Sequence, residues 1–111
     1  MIAKRYSLDI KRIAGNTGDV ILSFRDSETQ KVFHREHSRK FHAIAETAKR
    51  KLDHVHGAHV LEDLAAIPGH RLESLKGDRK GQHSIRVNGQ WRICFRWAGG
   101  NALDVEIVDY H

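Results

Sequence analysis

Arg71–Trp97, RLESLKGDRKGQHSIRVNGQWRICFRW, read together with Leu103–His111, LDVEIVDYH, decides the fold. Ile85 and Val87 alternate with Ser84, Arg86 and Asn88. Trp91, Ile93, Phe95 and Trp97 alternate with Arg92, Cys94 and Arg96. Alternation with period two marks strands that bury one face. The segment therefore reads as three or four short strands with one apolar side. The other side carries Arg86, Arg92, Arg96 and, from the last strand, Tyr110.

Asn88-Gly89 is the usual signal for a two-residue hairpin. Such a loop would set Ile85 opposite Arg92 and mix the two faces. A three-residue loop, Asn88 to Gln90, pairs Val87 with Trp91 and Ile85 with Ile93. Because a slip of one residue moves every side chain to the opposite face, the three-residue register is expected. It places Arg86 opposite Arg92 and Gln82 opposite Arg96. Like charges that face one another destabilise a ladder, which points to an anion held there or to arginines splayed into solvent.

Upstream, Val20 to Phe24 (VILSF) is a short strand. Asp26 caps a helix reaching Phe33, with Val32 and Phe33 turned inward. Ser38 is a candidate cap for the next helix, where Phe41, Ile44, Ala45, Ala48, Leu52 and Val55 recur at steps of three and four. Its solvated side holds Glu46, Lys49, Arg50, Lys51 and Asp53, and Gly57 ends it. Val60, Leu61 and Leu64 form a brief helical turn before Pro68-Gly69. Helices grouped ahead of an antiparallel meander predict an α+β fold: two N-terminal helices packed on a small, mainly antiparallel sheet. The helices should cover Ile85, Val87, Trp91, Ile93 and Phe95, leaving the arginine side open. Residues 1–19, with scattered Lys4, Arg5, Lys11 and Arg12, read as a weakly ordered arm outside a domain spanning residues 20–111.

The chain has 111 residues, 40% of them hydrophobic, with one proline, one cysteine and a net charge of +5. That is the size of a single folded domain. No apolar run approaches the roughly eighteen residues a membrane span needs, and the N-terminus lacks the pattern of a secretion signal. A lone cysteine excludes an internal disulfide and fits a reducing compartment, so a cytoplasmic protein is expected. Residues 67–97 carry seven basic and two acidic side chains. A clustered positive field concentrates polyanions, which makes nucleic acid the leading partner class; the plain alternative is a basic domain with solvated side chains.

Nine histidines invite a metal reading, yet there is no HExxH, and one cysteine cannot build a structural zinc site, so no metal is expected. GxSxG, Walker and GxGxxG motifs are absent. Cys94 lies beside arginines that would lower its pKa, but no partner base adjoins it, and packing is the simpler role. What remains is cleavage of RNA by its own 2′-hydroxyl. That reaction needs a base, an acid for the leaving 5′-oxygen, and cations for the charge developing on phosphate. Guanidinium groups match phosphate as a fork. Glu73, Asp109, Tyr110 and His111 are the local groups able to move protons; each also has a structural reading, such as Asp109 bonding backbone or Tyr110 stacking on a base.

LKGDRKGQHSIRVNGQWRICFRW followed by DVEIVDYH resembles the HigB-type toxins of the RelE/ParE superfamily, as do RLESLKGDR and SFRDSETQKVF at 23–33. The resemblance runs from about Val20 to His111. It implies a RelE-like toxin of a type II toxin–antitoxin system. Such toxins are endoribonucleases that cut mRNA in the 30S decoding site, against 16S rRNA, without metal or other cofactor. It also implies a helix-turn-helix antitoxin and, through that complex only, operator DNA. Lys76 and Arg92 match positions that bind and stabilise phosphate. Tyr110 and His111, with Asp109 beside them, match positions tied to alignment and proton transfer. Arg71, Arg79, Lys80, Arg86 and Arg96 would add contacts to RNA backbone.

Two departures stand out: Glu73 replaces a histidine found in some nuclease members, and Asn88 replaces an arginine. Glu73 could serve as base, though a carboxylate near phosphate is repelled unless arginines offset it. Arg92→Ala and loss of His111 are each expected to relieve toxicity without unfolding the domain. Competing functions are ParE-like inhibition of another target such as gyrase, and plain RNA binding. Few aromatics line the sheet, which disfavours a broad stacking platform.

Overall fold

A computed structural model describes Tyr6–Ser7 and residues 20–110. The proposed arm, apart from Tyr6–Ser7, and His111 lie outside the described residues. The elements are β1 (Tyr6–Ser7), β2 (Ser23–Phe24), α1 (Ser27–Phe33), a 3-10 turn (His42–Ile44) running into α2 (Ala45–Gly57), α3 (Leu61–Ala65), β3 (Glu73–Ser74), a 3-10 turn (Gly77–Arg79), β4 (Gln82–Arg86), β5 (Trp91–Ala98) and β6 (Asn101–Asp109). The sheet order is β1-β2-β6-β5-β4-β3, so a meander is extended beyond β6 by the first strands. The architecture is the expected α+β one.

Local chemistry fixes the helices. Asp26 caps α1, its carboxylate accepting from the Thr29 N–H at 2.7 Å and from the Thr29 hydroxyl at 3.1 Å. Thr29 is itself buried, and its Oγ1 accepts from the Ile107 N–H at 3.0 Å, which pins α1 to β6. Ser38 caps a turn rather than the helix itself: its Oγ accepts from the Phe41 N–H at 3.2 Å and donates to Glu28 at 2.7 Å. Along α2, Ala48, Leu52 and Val55 are fully buried while Lys49 and Asp53 pair at 2.7 Å one turn apart. Leu64 alone of α3 is buried; Val60, just ahead of it, is exposed.

Ile85 faces Ile93, Arg86 faces Arg92 and Gln82 faces Arg96, as the three-residue loop requires. Asn88 explains that loop: its Oδ1 accepts from the Gln90 and Trp91 N–H groups, both at 2.8 Å, a side-chain turn that closes the hairpin. On the covered side Ile85, Val87, Ile93 and Phe95 join Phe24, Phe41, Leu52 and Val55 in one core, with Trp91 edge-on to Phe41 at 5.4 Å.

Two features depart from a plain meander. β2 pairs in parallel with β6, Phe24 beside Val105. The β5–β6 register also slips between Cys94 and Arg96, giving β6 an extra residue around Asp104, whose φ is +53°. That bulge puts Ala102, Val105 and Ile107 all in the core, a spacing that strict alternation cannot supply.

Candidate active site

Arg92 does not stand open on the sheet, as alternation alone implied; it is 6% exposed. Its Nε donates to Ser84 Oγ at 2.8 Å, and its Nη2 donates to the Arg71 carbonyl at 2.7 Å and the Ser84 carbonyl at 3.3 Å. Arg71 holds a left-handed backbone (φ +48°), a conformation rare for a side-chain-bearing residue, and so the turn before β3 aims that carbonyl at the guanidinium. Across the group lies the Tyr110 ring, centred 5.1 Å from Cζ. Tyr110 is 42% exposed, and its hydroxyl donates to Glu73 at 3.4 Å, while Glu73 stands 3.7 Å from Arg92 Nη2. Glu73, Arg92 and Tyr110, from three strands or their ends, thus form one cluster.

The chain end is held by the hairpin loop. The Tyr110 N–H donates to the Gln90 carbonyl at 2.7 Å, and Gln90 Nε2 donates to Asp109 at 3.1 Å. Asp109 sits opposite Trp91, one position off the Arg92 register, and its bond from Gln90 anchors the tail. His111 follows Tyr110 directly. Lys76 is exposed just past β3, with no carboxylate partner among the described residues.

The remaining arginines divide. Arg86 is half-buried, while Arg92 opposite it is committed to Ser84 and the Arg71 carbonyl. Arg79 bonds Glu106 at 2.8 Å and Gln82 at 3.0 Å, and Arg96 lies 3.6 Å from Asp104. These two line a concavity of about 370 Å³ with Arg25, Asp78 and Gln82. Carboxylates already offset them, so they are weaker phosphate ligands than charge counting implied. Lys80 and the Arg71 side chain are exposed.

Cys94 is fully buried, and its thiol is pushed up to about 11 because burial outweighs the nearby Arg79 and Arg92; it packs and does not react. The histidines are not all loop residues in solvent: His70 is fully buried, bonded to the Leu64 carbonyl at 3.1 Å and to His54 at 3.3 Å. No three of His, Cys, Asp or Glu converge as a metal site among the described residues. Ser84 and Gln90, which hold the arginine and the tail, carry no sequence signal beyond their register; Arg25 was missed because it lies far upstream.

An α+β domain with helices packed on one side of a mixed sheet is the architecture of the RelE-like toxins. Residues 22–111 match the family described as RelE-like toxin of type II toxin-antitoxin system HigB, and the chain belongs to that family. It is 47% identical over 55 residues to Toxin HigB-1 of Vibrio cholerae serotype O1, covering 50% of this chain and 58% of the relative. It is 45% identical over 42 residues to Endoribonuclease HigB of Proteus vulgaris, covering 38% of this chain and 46% of the relative. The matches thus span about half the length of these curated relatives. No helix among the described residues is long and apolar enough to cross a membrane.

Proposed function

We propose that this protein is the toxin of a type II toxin–antitoxin system, an endoribonuclease that arrests translation by cutting mRNA on the ribosome. The observation that carries the reading is Arg92, fixed by Ser84 and the Arg71 carbonyl under Tyr110 and beside Glu73. A guanidinium held this rigidly is preorganised for charge that develops on phosphate in the transition state. Lys76, exposed where the chain leaves β3, adds a second cation.

In the proposed reaction the substrate's 2′-oxygen attacks phosphorus while a protein base takes its proton. The P–O5′ bond breaks as an acid protonates the leaving oxygen, and a 2′,3′-cyclic phosphate remains. Glu73, Tyr110 and His111 are the groups for these proton transfers, with Asp109 holding the tail that presents them. Glu73 sits near enough to Arg92 for the cation to offset its repulsion of phosphate. The nucleophile belongs to the RNA, so no metal step enters. The ribosome, through 16S rRNA of the decoding site, supplies the alignment that a small open site lacks. Family membership supports a helix-turn-helix antitoxin as the neutralising partner, operator DNA as a ligand of that complex only, and action in the cytoplasm.

The test is expression of wild-type, Tyr110→Phe and a chain lacking His111, with transcripts sequenced from growth-arrested cells. Arrest with new transcript ends, reduced in Tyr110→Phe and in the chain lacking His111, is the expected result. Arrest with intact transcripts and broken DNA would replace this reading with a ParE-like one.

A further inference from the structure

Three cations of this surface are paired in place: Arg79 with Glu106, Arg92 with Glu73, Arg96 with Asp104. Lys76 is not, and neither is a cluster of three cations at the opposite end of β4. Arg50 and Lys51 on α2 and Arg86 at the end of β4 have no carboxylate partner among the described residues. The nearest acid in sequence, Asp53, is taken by Lys49 at 2.7 Å.

The fold brings these three together through a contact between half-buried His54 and fully buried His70. His54, one turn beyond Arg50 and Lys51 on α2, touches His70 at 3.3 Å, and the His70 carbonyl accepts the Arg86 N–H at 2.7 Å. The next residue, Arg71, gives its carbonyl to Arg92. Lys51 is half-buried here, and burial together with the like charges of Arg50 and Arg86 presses its pKa below the ordinary value. Gathering like charges around a half-buried lysine lowers stability unless an anion completes the arrangement.

The geometry points to an anion-binding corner formed by Arg50, Lys51 and Arg86 beside the His70–Arg71 turn, which takes a phosphodiester of an RNA backbone. It rests on the RNA-cutting reading above and extends it: Arg50 and Lys51, which spacing alone assigns to a solvated helix side, belong to the RNA track. The corner and the cluster are held by consecutive carbonyls, His70 for Arg86 and Arg71 for Arg92, so an RNA strand leaving Arg92 across this sheet edge meets the corner directly. The phosphodiester belongs either to the message or to ribosomal RNA, and the experiment separates the two.

The full-length chain and its Arg50→Gln/Lys51→Gln variant are titrated by fluorescence anisotropy into a labelled 20-nucleotide single-stranded RNA and into message-free 30S subunits, across a salt series. An Arg39→Gln/Lys40→Gln variant, altered by the same charge ahead of α2, is the control. Two lost phosphate contacts should weaken oligonucleotide binding by about 25-fold at 0.1 M salt and flatten the log–log salt slope by about 1.4. That loss on the oligonucleotide assigns the corner to the message; loss confined to 30S subunits assigns it to ribosomal RNA. The variant should melt no lower than wild type, because it relieves repulsion. Unchanged binding to both probes, equal loss in the control, or loss accompanied by a lower Tm would overturn the inference. Failure of the wild type to cut transcripts would instead count against the nuclease reading, since binding is read independently of cleavage.

Discussion

Truncating Arg92 to alanine should unfold part of the margin on which this domain stands, contrary to what an exposed arginine would do. Its side chain makes charge-assisted bonds of 2.8 Å to Ser84 Oγ and 2.7 Å to the Arg71 carbonyl, and lies under Tyr110. Hydrogen bonds to charged groups contribute about 1.5–3 kcal/mol each, and loss of the cation leaves buried acceptors unpaired. Against this stands the desolvation of the guanidinium, which the truncation removes. The net effect is roughly 2–4 kcal/mol, which for a domain of this size lowers Tm by roughly 10–20 °C. Thermal unfolding followed by circular dichroism reads it, with Ser84→Ala as the intermediate case and Arg92→Lys as the variant that keeps charge but not the fork. An Arg92→Ala protein melting within a few degrees of wild type would refute the buried arrangement. The same result decides how loss of toxicity in that variant is interpreted, since misfolding and lost phosphate binding would otherwise look alike.

Three further outcomes follow from single contacts. His70 is fully buried and its pKa is pressed from 6.5 to about 4, first by burial and then by Lys51, so the folded state resists the proton that the unfolded chain accepts. Stability should therefore be full above about pH 6.5 and lost as pH falls toward 4. About 2 kcal/mol of it goes between pH 7.5 and 5 in urea titrations, and a difference from His70→Asn that does not vary with pH would contradict this. Thr29→Val should cost about 1–3 kcal/mol in the same assay by leaving the buried Ile107 N–H unpaired; a neutral change would show that β6 does not depend on α1 there. Tyr110→Phe, which keeps the ring over Arg92 but drops the bond to Glu73, should leave Tm within about 2 °C while slowing cleavage; a large fall in Tm would make the hydroxyl structural.

What the sequence made legible was whatever depends on local pattern. Alternation through Ile85 and Trp91–Trp97 set the strands, and the need to keep arginines off the core chose the three-residue loop over the two-residue one. Asp26 announced its helix, because a cap acts on residues three positions away. The bulge between β5 and β6 was not legible, since it turns on a left-handed Asp104 where no glycine marks the position. Nor was the parallel pairing of Phe24 with Val105, since it joins segments some eighty residues apart. The site was half legible for the same reason. Register put Arg92 on the correct side, but nothing local to WRICF shows that Ser84, the Arg71 carbonyl and Tyr110 close over it. Counting charges also overvalued Arg79 and Arg96, whose carboxylate partners come from β6 and the residue at its bulge.

The most direct test of the central claim is the chemistry of the RNA ends produced by the protein on translating ribosomes. Wild type should generate 3′ ends closed as 2′,3′-cyclic phosphates on ribosome-bound transcripts, in the presence of a metal chelator once the ribosomes are fixed in place. Glu73→Gln should yield far fewer and Arg92→Lys almost none. Ends bearing 3′-hydroxyls, or cyclic ends formed equally well by all three proteins, would contradict the account.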